Sequence, residues 1–166
     1  MYSLALIIHS WWRWVVLALL VAATIRAIAG RSARRAWTGA DRRANMLAVV
    51  SLDIQMLLVL LLYFFLSPFT RDALSDFGAA MRTPSLRYWA VEHVSLMVGA
   101  LVVAHVGNVL VRRASTDPSR HLRGAMFFGL ALLLTLIGTP WPGMSNGREL
   151  FRLTLSMLGP FCPCVW

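Results

Sequence analysis

Long apolar runs alternate with short, arginine-rich polar stretches over most of the chain. Four runs, at about residues 3–29, 42–66, 84–113 and 118–139, reach or exceed the roughly 20 residues that an α-helix needs to cross a bilayer. They predict four transmembrane helices with short connections, folded as an up-down bundle within residues 1–145. The expected fold class is therefore an all-α integral membrane protein with a short C-terminal interfacial segment.

Turn and capping residues mark the ends of these runs. Gly30 is predicted to end the first helix, and Asp41 is positioned to cap the second. Thr83 and Asp117 are each followed by a proline, which is typical of a helix start. The first run lacks a basic leader and is longer than the apolar core of a signal peptide, so we expect it to stay in the mature chain.

Residues 146–166 have a different pattern, because their apolar positions are fewer and are interrupted by charges. They are too few to span a bilayer and predict a short interfacial helix, lying on the outer surface and ending before Gly159. Cys162 and Cys164 follow it. Their spacing, with no histidine nearby, is a weak signal for a metal or redox site.

The composition indicates a membrane environment. Hydrophobic residues make up 58% of the chain, charged residues only 14%, and the mean hydropathy is +0.67, whereas soluble domains carry about 25% charged residues. With 166 residues, the chain has no room for a second, soluble domain beside four spans. The lipid bilayer is therefore the expected main partner.

All 16 basic residues are arginines, and the net charge is +9. They are scattered around the ends of the runs, which is typical of topology signals and anionic-lipid contacts, so nucleic-acid binding is not expected. The first and third connections carry most of them, at positions 26, 31, 34, 35, 42 and 43, and at 112, 113, 120 and 123. These connections are predicted to face the cytoplasm, which places both termini outside.

Few strongly polar residues fall inside the runs, and each is a functional candidate because such groups are costly in a bilayer. His9 and Arg13 share one face of the first helix, since they are four residues apart. The first and third helices are parallel in this topology, so we expect an ion pair between Arg13 and Glu92. The full set is His9, Arg13, Asp53, Gln55, Glu92, His93 and His105.

His9 and His93 are predicted to lie at similar depth on these two parallel helices. Two facing imidazoles in a four-helix bundle can supply both axial ligands of a haem. An interhelical hydrogen bond or a proton-handling role explains them equally well from the residues alone. Both interpretations stay open at this point.

His105 belongs to a second level of the bundle. It follows His93 by 12 residues, about 18 Å along the helix and about 120° around it, so one haem cannot use both. The second helix presents Asp53 and Gln55 at that deeper level, and an Asp53–His105 contact is expected. We assign Glu92, Asp53, Gln55 and His105 a structural or proton-handling role.

Four stretches, "HSWWRW", "IQMLLVLLLYFFLSPF", "RYWAVEHVSLMVGALVVAHVGN" and "GLALLLTLIGTPWPG", resemble a family of small four-helix bacterial membrane proteins labelled cytochrome B or cytochrome b-like. The resemblance covers about residues 4–145. It implies haem b, with His9 and His93 as candidate iron ligands, and a place in the bacterial inner membrane. Relatives often have a histidine where this chain has Asp53, so a second pair with His105 is broken here.

The functional expectation follows from these residues and this resemblance. The sequence contains no phosphate-binding loop, nucleophile elbow or cysteine-rich cluster, so a subunit is more expected than a stand-alone enzyme. The leading hypothesis is a haem-b subunit that passes single electrons between a quinol and an outer-face carrier, with Arg13 paired to Glu92 or to a haem propionate. The alternative is a cofactor-free accessory subunit of a larger respiratory or photosynthetic membrane complex.

Overall fold

Six helices follow one another in the part of the chain that the structure describes. The computed structural model describes residues 1–148, apart from the side chain of Phe69, and residues 150 and 151. The helices are α1 (Tyr2–Ser32), α2 (Gly39–Leu66), α3 (Pro68–Ser75), α4 (Phe77–Arg82), α5 (Pro84–Arg112) and α6 (Asp117–Gly138). By length and composition α1, α2, α5 and α6 can each cross a bilayer, which confirms the four predicted spans.

The four long helices form a bundle in which each packs against two neighbours. α1 contacts α2 and α6, and α5 also contacts α2 and α6. Helices that follow each other in the chain are therefore adjacent, whereas α1 and α5 lie on a diagonal. This is the up-down arrangement that the sequence predicts.

Small side chains line the interior of this bundle and large apolar ones cover its outside. The alanines at the helix contacts are almost completely buried and allow close backbone approach: Ala23, Ala48, Ala104 and Ala131. The outward surface carries exposed residues such as Leu57, Phe64, Phe65 and Val102. A surface of this kind suits a lipid environment.

The connection between α1 and α2 is fixed by a buried carboxylate. Thr38, not Asp41 as expected, is the N-cap of α2, because its hydroxyl accepts from the Asp41 amide while the Asp41 side chain accepts in return. The Asp41 carboxylate also accepts hydrogen bonds from Arg26 at 3.1 Å and Arg35 at 2.8 Å. Hydrogen bonding to Asp41 raises the pKa of Arg35. We call these four residues the Asp41 cluster.

His121 is fully buried at the same end of the bundle. Its Nε2 lies 3.1 Å from the carbonyl oxygen of Arg35, and its ring lies 4.9 Å from that of Trp37. A Cβ at position 30 would overlap the imidazole, so Gly30 allows α6 to approach α1. Because α1 continues to Ser32, Gly30 is a packing residue and not the predicted helix end.

The opposite end of the bundle has a less regular backbone. α2 ends in a π-helical turn at Leu62–Leu66, and α5 contains another at Tyr88–Glu92. A π turn contains an extra residue and therefore rotates the side chains beyond it. The short helices α3 and α4, which the sequence analysis does not predict, join α2 to α5 here.

The predicted interfacial helix falls almost entirely outside the described residues. Arg148, Leu150 and Phe151 are described and are not helical. Cys162 and Cys164 also lie outside the described part of the chain.

Candidate functional site

The two histidines expected to face each other meet in the interior of the bundle. The rings of His9 on α1 and His93 on α5 have centroids 6.5 Å apart and planes inclined at 76°. They reach across the diagonal between two helices that are not neighbours. The predicted proximity of His9 and His93 is therefore confirmed, and their role as ligands remains a prediction.

The orientation of His93 is set by the end of α6. Its Nδ1 donates to the carbonyl oxygen of Gly138 at 2.7 Å, and the Tyr88 hydroxyl donates to the same oxygen at 3.1 Å. Carbonyl groups in the last turn of a helix have no partner within it, so this one is available. With Nδ1 carrying the proton, Nε2 of a neutral His93 keeps its lone pair.

His9 is held by Gln55 on α2. The Gln55 amide nitrogen lies 2.9 Å from Nδ1 of His9 and donates to the His9 carbonyl oxygen at 3.2 Å. The expectation that Gln55 joins Asp53 at the deeper level is wrong, because two residues along a helix turn the side chain by about 200°. Gln55 Oε1 is buried without a hydrogen-bond partner among the described residues.

The expected ion pair between Arg13 and Glu92 does not form. Glu92 instead accepts from Nε of Arg87 at 2.6 Å, and both side chains are more than two-fifths exposed. The π turn explains this, because it aligns residues that are five apart. Arg13 donates from Nη2 to the carbonyl oxygen of Leu150 at 2.9 Å and lies over the ring of Trp14.

The expected contact between Asp53 and His105 is present. Nε2 of His105 lies 2.8 Å from Oδ1 of Asp53, which confirms the pairing of α2 with α5 at this level. Both side chains are nearly half exposed. Neither lines the cavity that His9 and His93 line.

A cavity of about 140 Å³ lies beside His9 and His93. Its lining is mainly apolar, with Arg13, Gln55, Tyr63 and Thr135 among the polar contributors. Three of the four long helices contribute these side chains, and α5 adds His93 itself. All four long helices therefore contribute to the lining of the site.

The spacing of the two imidazoles is compatible with that of the two histidine ligands of one haem. With metal–nitrogen bonds of about 2 Å, two imidazoles on opposite sides of one metal have ring centroids about 6 Å apart, close to the value for His9 and His93. The hydrogen bond from His93 to a backbone carbonyl is the kind that orients a ligating histidine. As placed, the Gln55 amide donates to Nδ1 of His9 and favours the tautomer with its proton on Nε2. Rotating the amide would place Oε1 against Nδ1 and free Nε2, with loss of the hydrogen bond from Gln55 to the His9 carbonyl oxygen.

The cavity is smaller than a haem, so side chains that line it would have to move for a haem to bind. A cavity of about 150 Å³ accommodates a molecule as small as benzene, so a porphyrin has to displace lining side chains. Met56 and Met97 line the cavity, and unbranched methionines repack readily. Within the described residues no three histidine, cysteine, aspartate or glutamate side chains group as a metal site.

Sequence reasoning does not identify the residues that orient His93. Gly138 acts through its carbonyl oxygen, a group that every residue has, and Tyr88 is one of several aromatic residues near a helix end. A Cβ at position 138 would overlap Met97, so the structure explains why a glycine is present. The sequence alone does not show this.

No family model matches this chain, and comparisons with curated proteins and with solved structures find no match.

Proposed function

We propose that His9 and His93 hold one haem b and that the protein is a membrane electron-transfer subunit. The observation that carries the proposal is the 6.5 Å separation of the two imidazole rings in the interior of a four-helix bundle. Both ligands would then come from the protein. When bound, such a haem supplies one-electron redox chemistry and offers no open position to a substrate.

The surrounding residues have distinct tasks in this proposal. His93 presents Nε2 as a ligand because its Nδ1 proton is held by Gly138. Gln55 orients His9, and Arg13 supplies a positive charge in the cavity for a propionate. The apolar lining, which includes Val16 and Leu52, keeps water away from the iron ligands.

The position of the cavity supports a lipid-soluble electron donor. Most of its lining residues belong to helices of membrane-spanning length, so a quinol dissolved in the bilayer can approach the bundle. The predicted orientation places His9 and His93 toward the outer side. We therefore propose single-electron transfer from a quinol to a carrier on that face.

A cofactor-free accessory subunit is the second candidate, and one observation favours it. Each histidine already makes an interhelical hydrogen bond, His9 to Gln55 of α2 and His93 to Gly138 of α6. Such bonds stabilise helix packing in membranes by about 0.6 to 2 kcal/mol. In that case the cavity is a packing gap in a subunit that acts only by binding neighbours.

The two candidates are separated by the reduced-minus-oxidised absorbance spectrum of the purified protein. We expect the α-band of a b-type haem in the wild type and its loss in His9→Ala and in His93→Ala. His105→Ala is the matched control, since it removes a histidine from the same helix as His93 but outside the cavity. Its spectrum should match the wild type.

A wild-type protein without the α-band, produced in cells that supply haem, would contradict the proposal and favour the accessory subunit. Equal loss of the band in all three variants would show that folding, and not ligation, is responsible.

A further inference from the structure

A second pocket lies at the end of the bundle where α2 begins and α5 ends. Its volume is about 750 Å³, and arginines from three helices line it without any acidic side chain among the lining residues: Arg42, Arg43, Arg112 and Arg120. The Asp41 carboxylate at this end is engaged by Arg26 and Arg35. The pocket is therefore strongly positive.

Three of these arginines have no carboxylate to neutralise them. Arg120 pairs with Asp117 at 2.9 Å, but Arg42, Arg43 and Arg112 form no ion pair with any residue that the structure describes. All three are exposed, so water and salt weaken their mutual repulsion, and an anion between them would lower it further. Their arrangement points to a ligand with negative charge.

A buried amide gives independent support for a ligand. Asn45 lines the same pocket and is only 2% exposed, and its Nδ2 has no hydrogen-bond partner among the described residues. A buried donor without an acceptor is destabilising by about 1 to 3 kcal/mol. Rotating the Asn45 amide would turn this donor toward the pocket, where an anion would supply the acceptor.

The backbone adds to the same field. Thr38 and Gly39, at the N-terminus of the 28-residue helix α2, also line the pocket. The positive end of the helix dipole therefore lies at the same place as the arginines, with part of its amide groups already capped by Thr38 and Asp41. Unpaired guanidinium groups, a buried amide and a helix N-terminus together favour phosphate oxygens.

We propose that this pocket binds the phosphate group of an anionic phospholipid. A phosphate ester can come from a lipid headgroup or from a soluble compound, and the location favours the lipid. The pocket lies at the ends of two membrane-spanning helices, where headgroups are found, and the exposed side chain of Met46 extends its lining toward the lipid-facing surface.

Native mass spectrometry of the purified full-length protein in detergent, titrated with phosphatidylglycerol or phosphatidylcholine, tests the site. Wild type should retain phosphatidylglycerol in preference to phosphatidylcholine. The double variant Arg42→Gln/Arg112→Gln should bind phosphatidylglycerol about 25-fold more weakly, from about fivefold for each arginine. The control Arg31→Gln/Arg34→Gln removes the same charge from exposed positions outside the pocket and should remain within about twofold of wild type.

Two further arms distinguish the alternatives. Asn45→Leu keeps the branched shape of the side chain, with a larger volume, and removes the donor, so it should weaken phosphatidylglycerol binding. The melting temperature checks separately that the larger side chain is accommodated. Inorganic phosphate at millimolar concentration should fail to displace the lipid. Displacement by phosphate would identify a soluble ligand, and equal weakening in the two double variants would indicate diffuse surface attraction. Either result would overturn the proposal.

Discussion

The Asp41 cluster and the cavity of His9 and His93 are two polar sites in one apolar bundle, and they differ in how far their polar groups are satisfied. In the cluster both oxygens of Asp41 accept hydrogen bonds, and the adjoining helices are regular. In the cavity Gln55 Oε1 has no partner among the described residues, and π turns interrupt α2 and α5 nearby. Saturated polar groups serve packing, whereas open ones beside a π turn are typical of a binding site.

Removing the centre of the Asp41 cluster should have the largest effect on stability. Asp41→Ala deletes the acceptor for Arg26 and Arg35 and half of a capping box, and we expect a loss of about 2 to 3 kcal/mol in the free energy of unfolding. Thermal unfolding in detergent measures it. Asp117→Ala removes the carboxylate that pairs with Arg120 and is more exposed than Asp41. This variant should change the free energy of unfolding by less than about 1 kcal/mol. Equal losses would show that the Asp41 cluster contributes no more to stability than an exposed ion pair does.

Filling the space beside His121 should come next. Gly30→Ala places a Cβ where the imidazole lies, and overpacking of this kind costs about 1 to 3 kcal/mol. Gly39→Ala is the control, because a Cβ at that position meets nothing within 4 Å. Comparison of the two melting temperatures tests the packing explanation, which fails if Gly30→Ala is as stable as Gly39→Ala.

The cavity should respond in ligand affinity more than in stability. Gln55→Leu removes the side chain that orients His9, and we expect haem to dissociate about tenfold more readily from the variant, which equilibrium transfer to apomyoglobin measures. Asp53→Asn changes a residue two positions away that pairs with His105, so haem retention should not change. If Asp53→Asn lowered haem retention more than Gln55→Leu did, the haem would lie at the level of Asp53 and His105 and not beside His9.

The smallest expected effect on stability concerns Glu92, which does not line the cavity and pairs with Arg87. A double-mutant cycle of Arg87→Gln and Glu92→Gln should give a coupling energy of about 0.5 kcal/mol, since both groups are exposed to a similar degree. The cycle of Arg13→Gln with Glu92→Gln should give none. A coupling energy above about 1 kcal/mol in the second cycle would exceed the usual value for exposed pairs. It would support the ion pair between Arg13 and Glu92 that the sequence predicts.

The sequence was sufficient for contacts that depend on depth in the bundle. Run lengths located the spans, and counting residues along parallel or antiparallel helices was enough to bring His9 near His93 and Asp53 near His105. Depth follows from the helical rise alone, which is the same in every α-helix.

Contacts that depend on rotation about a helix could not be obtained in this way. The π turn at Tyr88–Glu92 brings Glu92 near Arg87, and no residue in that segment predicts a π turn. Backbone acceptors are equally invisible, since the Gly138 carbonyl gains its role only when α6 ends beside His93. The sequence therefore predicted that His9 is near His93 and Asp53 near His105, but not the contact of Gln55 with His9 or the partner of Glu92.

The central claim is that His9 and His93 ligate one haem, and low-temperature electron paramagnetic resonance of the oxidised protein tests it most directly. Because the two imidazole planes are inclined at 76°, we expect a low-spin ferric signal with the strong anisotropy typical of nearly perpendicular ligand planes. His93→Ala should convert any haem that remains to a high-spin form. Absence of haem from the wild type, or a low-spin signal that persists unchanged in both His9→Ala and His93→Ala, would contradict the account.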